Sequence, residues 1–149
     1  MTIKRVLQSE RNSAIKQSNN ESALFYSVYF VDNDDRYVKI GITNCVSNRL
    51  NHYNTSNPGT VTLMAELDMP NKHSAYLLEQ SLIQRFDKYH VKGEWFKKNQ
   101  SITNWAEAMN DLNKELKDKK RRETVNKIDA LIRNTWCDMN SEENTCERL

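Results

Sequence analysis

The chain has 149 residues, enough for one domain with its own hydrophobic core and without help from disulfides or structural metals. It contains only three glycines and two prolines, whereas average usage would give roughly ten and seven. This scarcity excludes an all-β sandwich or barrel, which needs frequent turn residues. The net charge of +2 says little about nucleic acid, and no apolar run approaches the length of a membrane span.

Composition also indicates where the protein works. The three cysteines are too few and too scattered for a disulfide framework, and an odd count fits a reducing compartment. We therefore expect a cytoplasmic protein with no membrane partner. Abundant asparagine and lysine hint at an AT-rich genome, such as that of a phage acting in a host cell.

Residues 1–22 are polar and show only a weak helical pattern, which predicts a polar N-terminal arm or a short, loosely attached helix. The β-rich runs at 24–31 and 36–42 flank an Asp-Asn-Asp-Asp turn cluster and together predict a hairpin. A turn centred on Asp34 would pair Tyr29 with Lys39. The period of two places four apolar residues on the core face: Val28, Phe30, Val38 and Ile40.

The chain from 43 to 99 alternates short elements. In order, the patterns predict a short helix over 46–53 capped by Thr43 or Asn44, a turn over 56–59, a strand over 60–67, a helix over 72–89 that closes at Gly93, and a final strand over 94–96. Together these strands and helices indicate an α+β fold.

Residues 100–149 form an appended C-terminal helical segment, as two helices or one long bent helix. Apolar residues recur at three and four residues from Val125 to Met139, which suits packing on the domain or a homodimer seam. Between the apolar stripes lies a cationic block that includes Lys119, Lys120, Arg121 and Arg122. Such a block is either a solvated helix face or a phosphate-contacting patch for nucleic acid. The expected domains are thus 1–22, 23–99 and 100–149.

Two charged residues stand out within 23–99. Glu79 lies on the apolar stripe of its helix, where a carboxylate needs a structural Arg or Lys partner, a metal or hydrogen-bond donors. Arg49 follows the hairpin on a short helix, one turn before Tyr53, and its planar fork suits a phosphate.

In order along the chain, Tyr29, Lys39-Ile-Gly41, Arg49, Tyr53 and Glu79, closed by Gly93-Glu-Trp-Phe96, resemble the motifs of the GIY-YIG nuclease superfamily. The runs VKIGIT, LEQSLIQRF and GEWF resemble its phage-type branch, in which Lys-Ile-Gly replaces Tyr-Ile-Gly. The likeness covers about residues 24–98. It implies a small three-stranded antiparallel sheet flanked by helices. It also implies a metal-dependent endonuclease that hydrolyses phosphodiester bonds, with DNA as the expected substrate and RNA as the alternative.

The resemblance also implies roles for single residues. Glu79 would hold Mg²⁺ or Mn²⁺, Arg49 would bind the scissile phosphate, Tyr53 would bond a phosphate oxygen or the water, and Tyr29 would orient or deprotonate the attacking water as neighbouring cations favour phenolate. Lys39 replaces the second tyrosine. We expect structural roles for Gly41, Gly93 and Trp95. The side chains of Trp95 and Phe96 would act as core plugs, meaning that they fill the core at the edge of the sheet.

Three residues are auxiliary candidates. Tyr37 lies two residues before Lys39 on the same strand face, His52 precedes Tyr53, and Asn99 is the nearest asparagine after Glu79. Two other functions stay open: a module that keeps the fold and binds nucleic acid without cutting it, and a protein-interaction factor that uses its C-terminal helices.

Overall fold

The computed structural model describes residues 2–18, 25–34, 36–56 and 60–148. Two compact units divide the chain, Met1–Asn113 and Lys114–Leu149. The first unit is an α+β fold built on an antiparallel sheet, so the predicted fold class is confirmed. Asp35 and most of the turn predicted over 56–59 lie outside the described residues. No helix in the described part of the chain is both long and apolar enough to cross a membrane.

The elements follow the predicted order, with a 3-10 turn (Asp87–Tyr89) and the strand His90–Lys92 as additions. The strands are β1 (Tyr26–Asn33), β2 (Tyr37–Thr43), β3 (Val61–Met69), β4 (His90–Lys92) and β5 (Trp95–Lys97), and the helices are α1 (Ile3–Gln17), α2 (Val46–Ser56), α3 (Lys72–Arg85) and α4 (Gln100–Arg148). The five strands lie in the order β3-β1-β2-β5-β4, so the expectation of three strands was wrong in number. The C-terminal segment is a single helix.

Gly93 has a different place from the one predicted. The helix ends at Arg85, and a short 3-10 turn, Asp87–Tyr89, leads into β4. Gly93 lies between β4 and β5 with a φ of +57°, a left-handed conformation that glycine adopts without steric cost. It therefore turns a hairpin at the sheet edge rather than closing a helix.

The hairpin of β1 and β2 is shifted by two residues from the predicted register. Tyr29 pairs with Gly41, and Val31 with Lys39, so the turn is centred one residue later than Asp34. Asp34 itself adopts a φ of +51°, which aspartate tolerates in tight turns. A shift of two keeps every side chain on its predicted face. The four predicted core residues, Val28, Phe30, Val38 and Ile40, are accordingly fully buried.

The main core lies between the sheet and α3. Phe86 meets Phe30 edge to face, with ring centroids 6.2 Å apart, and meets Trp105 of α4 at 6.1 Å. Within the first turns of α4, Ile102 and Met109 are also fully buried. The start of α4 is thus part of the core of the first unit.

Helix α1 is longer and better packed than the expected arm or loose helix. Thr2 caps its start, Leu7 is fully buried, and the helix packs against α3. The Arg11 guanidinium donates to the Asp68 carbonyl at 3.1 Å, which fastens α1 to the end of β3. The sequence pattern was weak because only two of its residues, Leu7 and Ala14, are buried.

Strand β3 forms one edge of the sheet, and α4 covers it with amide side chains. Asn110 donates to the Met64 carbonyl at 3.0 Å and accepts from the Glu66 amide at 3.2 Å. Asn113 accepts from the Asp68 amide at 2.9 Å. Backbone groups that an edge strand would leave unpaired therefore have partners.

Candidate functional site

The Tyr29 and Tyr53 hydroxyls share a hydrogen bond of 2.7 Å at the centre of the candidate site. Tyr29 is 2% exposed and Tyr53 8%, because both pack in a small apolar cluster with Val31, Val61 and Leu50 on the sheet face beneath α2. Strand β1 fixes Tyr29, since it pairs with both β2 and β3. A strand and a helix thus bring together two tyrosines that lie 24 residues apart.

Gly41 makes this arrangement sterically possible. It lies directly across the ladder from Tyr29, and a Cβ atom at residue 41 would stand 2.5 Å from the Tyr29 hydroxyl oxygen and 2.7 Å from Cζ. Real Cβ atoms do not approach other atoms so closely. The missing side chain of Gly41 thus leaves the room that the Tyr29 ring occupies.

Lys39 lies beside the tyrosine pair. Its ammonium is 4.8 Å from the centre of the Tyr53 ring and 5.8 Å from that of Trp95, and it forms an ion pair with Glu94 at 3.5 Å. Trp95 is only partly buried, so it was wrongly expected to be a core plug, whereas Phe96 is fully buried. Trp95 instead lies beside the cation of the site.

The ionisation of Tyr29 runs against the expectation. Burial is the main cause that raises the pKa of its hydroxyl, and the hydrogen bond with Tyr53 raises it further. The Arg49 guanidinium favours phenolate but is outweighed, and Glu94 opposes it. Tyr29 therefore carries its proton at neutral pH.

Glu79 is a buried carboxylate without an ion pair among the described residues. It is 7% exposed on α3, and the Gln80 amide donates to it at 3.3 Å. Burial first, and then the negative charge of Glu94, raise its pKa to about 7. A structural Arg or Lys partner, the first alternative for this residue, does not occur in this part of the chain.

Glu94 is the site residue that sequence reasoning missed. It pairs with Lys39 and interacts electrostatically with both Tyr29 and Glu79, while its carbonyl accepts from the Ile40 amide at 3.3 Å. The charge of Glu94 therefore acts on both the tyrosine pair and Glu79. Its position inside the closing Gly-Glu-Trp-Phe motif was the available signal.

The donor set suits a hard divalent cation with few protein ligands. The described residues contain no group of three or more His, Cys, Asp or Glu side chains that could hold a metal. Mg²⁺ needs only one or two carboxylates together with waters and substrate phosphates. The buried Glu79 carboxyl, which has no ion pair among the described residues and lies in the field of Glu94, fits such an ion.

The remaining predicted residues lie at varied distances from this centre. Arg49 is exposed on α2 and acts electrostatically on Tyr29. The His52 ring, also exposed, lies 6.3 Å from the Tyr53 ring. Tyr37 is 40% exposed and pairs with Asn33 and Lys97, four residues along β2 from Gly41, or roughly 14 Å.

The side-chain amide of Asn99 forms hydrogen bonds with the backbone at the start of α4. Its oxygen accepts from the Ile102 amide at 3.1 Å, and its nitrogen donates to the Lys97 carbonyl at 2.8 Å. Asn99 thus caps the start of α4.

The cationic block lies in the second unit. Its residues Lys119, Lys120, Arg121 and Arg122 are all exposed. Arg121 pairs with Asp118 one turn earlier at 3.3 Å, an exposed contact of small energetic value.

Comparisons with known proteins bear on the first unit and on the start of α4. Neither the curated proteins nor the solved structures include a match to the chain. A family model described as the T5orf172 domain matches residues 23–113. That match spans more than half of the sequence and all the residues of the candidate site, so the chain belongs to the T5orf172 domain family, a family of nuclease-like and DNA-binding domains.

Proposed function

We propose that this protein is a metal-dependent endonuclease that hydrolyses phosphodiester bonds of DNA by a GIY-YIG-like mechanism. One observation carries the proposal: the bonded hydroxyls of Tyr29 and Tyr53 lie beside the Lys39–Glu94 pair, and Glu94 acts on the buried Glu79. Metal-dependent phosphodiester hydrolysis uses proton-bearing groups, phosphate-binding cations and a carboxylate that holds the metal, and this set offers a candidate for each.

The carboxylates would bind the metal. Glu79, with Glu94 nearby, would hold Mg²⁺ or Mn²⁺ through one or two oxygens. Bound there, the ion supplies Lewis-acid polarisation of the phosphoryl group. The same charge would offset the burial that raises the pKa of Glu79 to about 7 and would keep this carboxylate ionised.

The other residues would position the phosphate and the attacking water. The exposed Arg49 guanidinium can donate two hydrogen bonds to the scissile phosphate and stabilise charge that develops on its oxygens. Lys39 would act as a point charge. Since Tyr29 keeps its proton, it would orient the water by hydrogen bonding, with the Tyr53 hydroxyl as its partner.

Family membership supports a nucleic-acid substrate, and we propose DNA, with RNA as the alternative. The exposed block of Lys119, Lys120, Arg121 and Arg122 would add sequence-independent phosphate contacts. The proposed place of action is the cytoplasm of a host cell.

The test is incubation of the full chain with supercoiled DNA and Mg²⁺ or Mn²⁺. We expect cutting in wild type and a loss on the order of 10²-fold or more in Glu79→Gln and in Arg49→Ala. Glu107→Gln and Arg36→Ala change exposed residues of the same types outside the site and should cut normally. Equal cutting by the site variants and these controls would refute the assignment.

A second candidate is a binding module that keeps the fold without the chemistry. Lys39 replaces a tyrosine, its ammonium is paired with Glu94, and Tyr29 resists ionisation, all of which favour this alternative. It predicts DNA binding that weakens as salt rises, with no metal-dependent cutting by wild type.

A further inference from the structure

Helix α4 presents an uncovered apolar face in the second unit. Five large side chains there are exposed by 49 to 67%: Val125, Ile128, Leu131, Ile132 and Trp136. Four residues, Leu131, Ile132, Thr135 and Trp136, line an apolar depression on this face. A contiguous patch of large exposed apolar side chains is a common feature of interaction sites.

The spacing of this face is that of a coiled coil. Val125, Ile128, Ile132, Thr135 and Met139 recur at intervals of three, four, three and four residues, the a and d positions of a heptad. Such a seam is completed by another helix with the same repeat. The α4 helix of a second copy of this chain has that repeat.

The distribution of charge along α4 indicates whether the second helix runs parallel or antiparallel to the first. Residues 117–122 contain five cations and one aspartate, whereas residues 138–143 contain three acidic residues and no cation. A parallel pair in register would place each charged block opposite the same block of the other chain, so like charges would face each other. An antiparallel pair centred near Ala130 places the cationic block of one chain opposite the acidic block of the other.

The same antiparallel register aligns the apolar residues. It sets Ile132 against Ile128 of the second copy and Val125 against Thr135. Each pairing occurs twice by symmetry, so four successive layers of the seam pair apolar or small side chains. Leu131 and Trp136 flank the seam and would widen the covered area. We propose that the protein forms a homodimer through an antiparallel coiled coil of α4, with Ile128 and Ile132 at its centre.

Sedimentation equilibrium of the full chain tests the association. We expect a mass of twice 17.5 kDa for wild type and of a single chain for Ile132→Asp. Ala130→Asp puts the same charge on the opposite side of the helix and should stay dimeric. A monomeric wild type at tens of micromolar, or a dimer that Ile132→Asp leaves intact, would overturn the proposal.

Cross-linking tests the direction. In a background with Cys45, Cys137 and Cys146 changed to serine, Ile128→Cys and Ile132→Cys chains should form a disulfide with each other when mixed. Each variant alone should cross-link poorly. Efficient disulfides within either variant alone would show a parallel pair and would overturn the antiparallel arrangement.

Salt gives an independent readout of direction. Opposed charges stabilise the antiparallel dimer, so raising ionic strength should weaken it. A dimer that tightens with salt would contradict the proposed pairing of blocks.

Discussion

The Tyr29 ring covers Gly41 so closely that glycine is the only residue that fits without movement. Gly41→Ala should therefore displace the ring, break the hydrogen bond between Tyr29 and Tyr53, and destabilise the fold by about 1 to 3 kcal/mol, the usual cost of overpacking. Urea denaturation measures this loss.

A matched control separates this clash from a general cost of replacing glycine. A Cβ atom at Gly93 would meet nothing within 4 Å, and only its φ of +57° would strain Gly93→Ala, at about 1 kcal/mol. In a Tyr29→Ala background the cost of Gly41→Ala should largely vanish. If the cost persisted there, the ring would not be its cause.

Glu79 gives the stability of the protein a pH dependence. Its pKa is about 7 in the folded protein against an ordinary value of 4.5, so the folded state binds the proton more tightly. Stability is then highest below this window and falls as pH rises from about 4.5 to 7. Glu79→Gln should be more stable than wild type by about 1 to 2 kcal/mol near pH 8, with the gap closing near pH 4.

The measurement is the free energy of unfolding across this pH range. Glu107→Gln removes an exposed carboxylate and controls for net charge. Parallel pH profiles for wild type and Glu79→Gln would contradict the argument. Added Mg²⁺ at pH 8 should raise the melting temperature of wild type and leave that of Glu79→Gln unchanged.

At the scale of residues, the ordered motifs of the resemblance made Tyr29, Lys39 and Tyr53 candidates, and the helical period set Glu79 apart as a carboxylate on an apolar stripe. It did not identify Glu94, whose neighbours come from three other elements. The direction of the Tyr29 pKa was equally inaccessible. It depends on how deeply the ring is buried, which no local pattern encodes.

At the scale of elements, α4 serves two parts of the molecule. Its residues Ile102, Met109 and Leu112 are almost fully buried in the first unit, and each contributes about 2 to 5 kcal/mol when measured by truncation to alanine. Total stabilities are only about 5 to 15 kcal/mol. We therefore expect a chain of residues 1–99 to be unfolded and a chain of residues 1–113 to fold.

Circular dichroism melts of the two truncated chains test this expectation. A cooperative transition in 1–113, near that of the full chain, and none in 1–99 would support it. A folded 1–99 chain would show that the start of α4 is dispensable. The comparison matters for mapping functions, because loss of activity after a cut at Asn99 would reflect unfolding.

Elements with strong periodicity were predicted well, and weak ones poorly. The four core positions of β1 and β2 alternate strictly. The sheet face of each was therefore predicted correctly although the register was wrong by two residues. Strand β4 has three residues, all of them exposed, and so offers no apolar signal. Helix α1 buries only Leu7 and Ala14, too little to distinguish a packed helix from an arm.

At the scale of the whole molecule, the fold class was predictable and the division of the chain was less so. The shortage of glycine and proline excluded an all-β fold, and the α+β fold is confirmed. The boundary between compact units lies at Asn113, within a continuous helix, where neither composition nor a turn residue marks it.

The amides of Asn110 and Asn113 on β3 have a further consequence. An unprotected edge strand can recruit the edge of another molecule, which is the route to sheet-mediated aggregation. Here α4 occupies three backbone groups of β3, at Met64, Glu66 and Asp68, and the opposite edge, β4, has only three residues. Both flanks of the sheet are thus poor templates for the addition of a strand from another molecule.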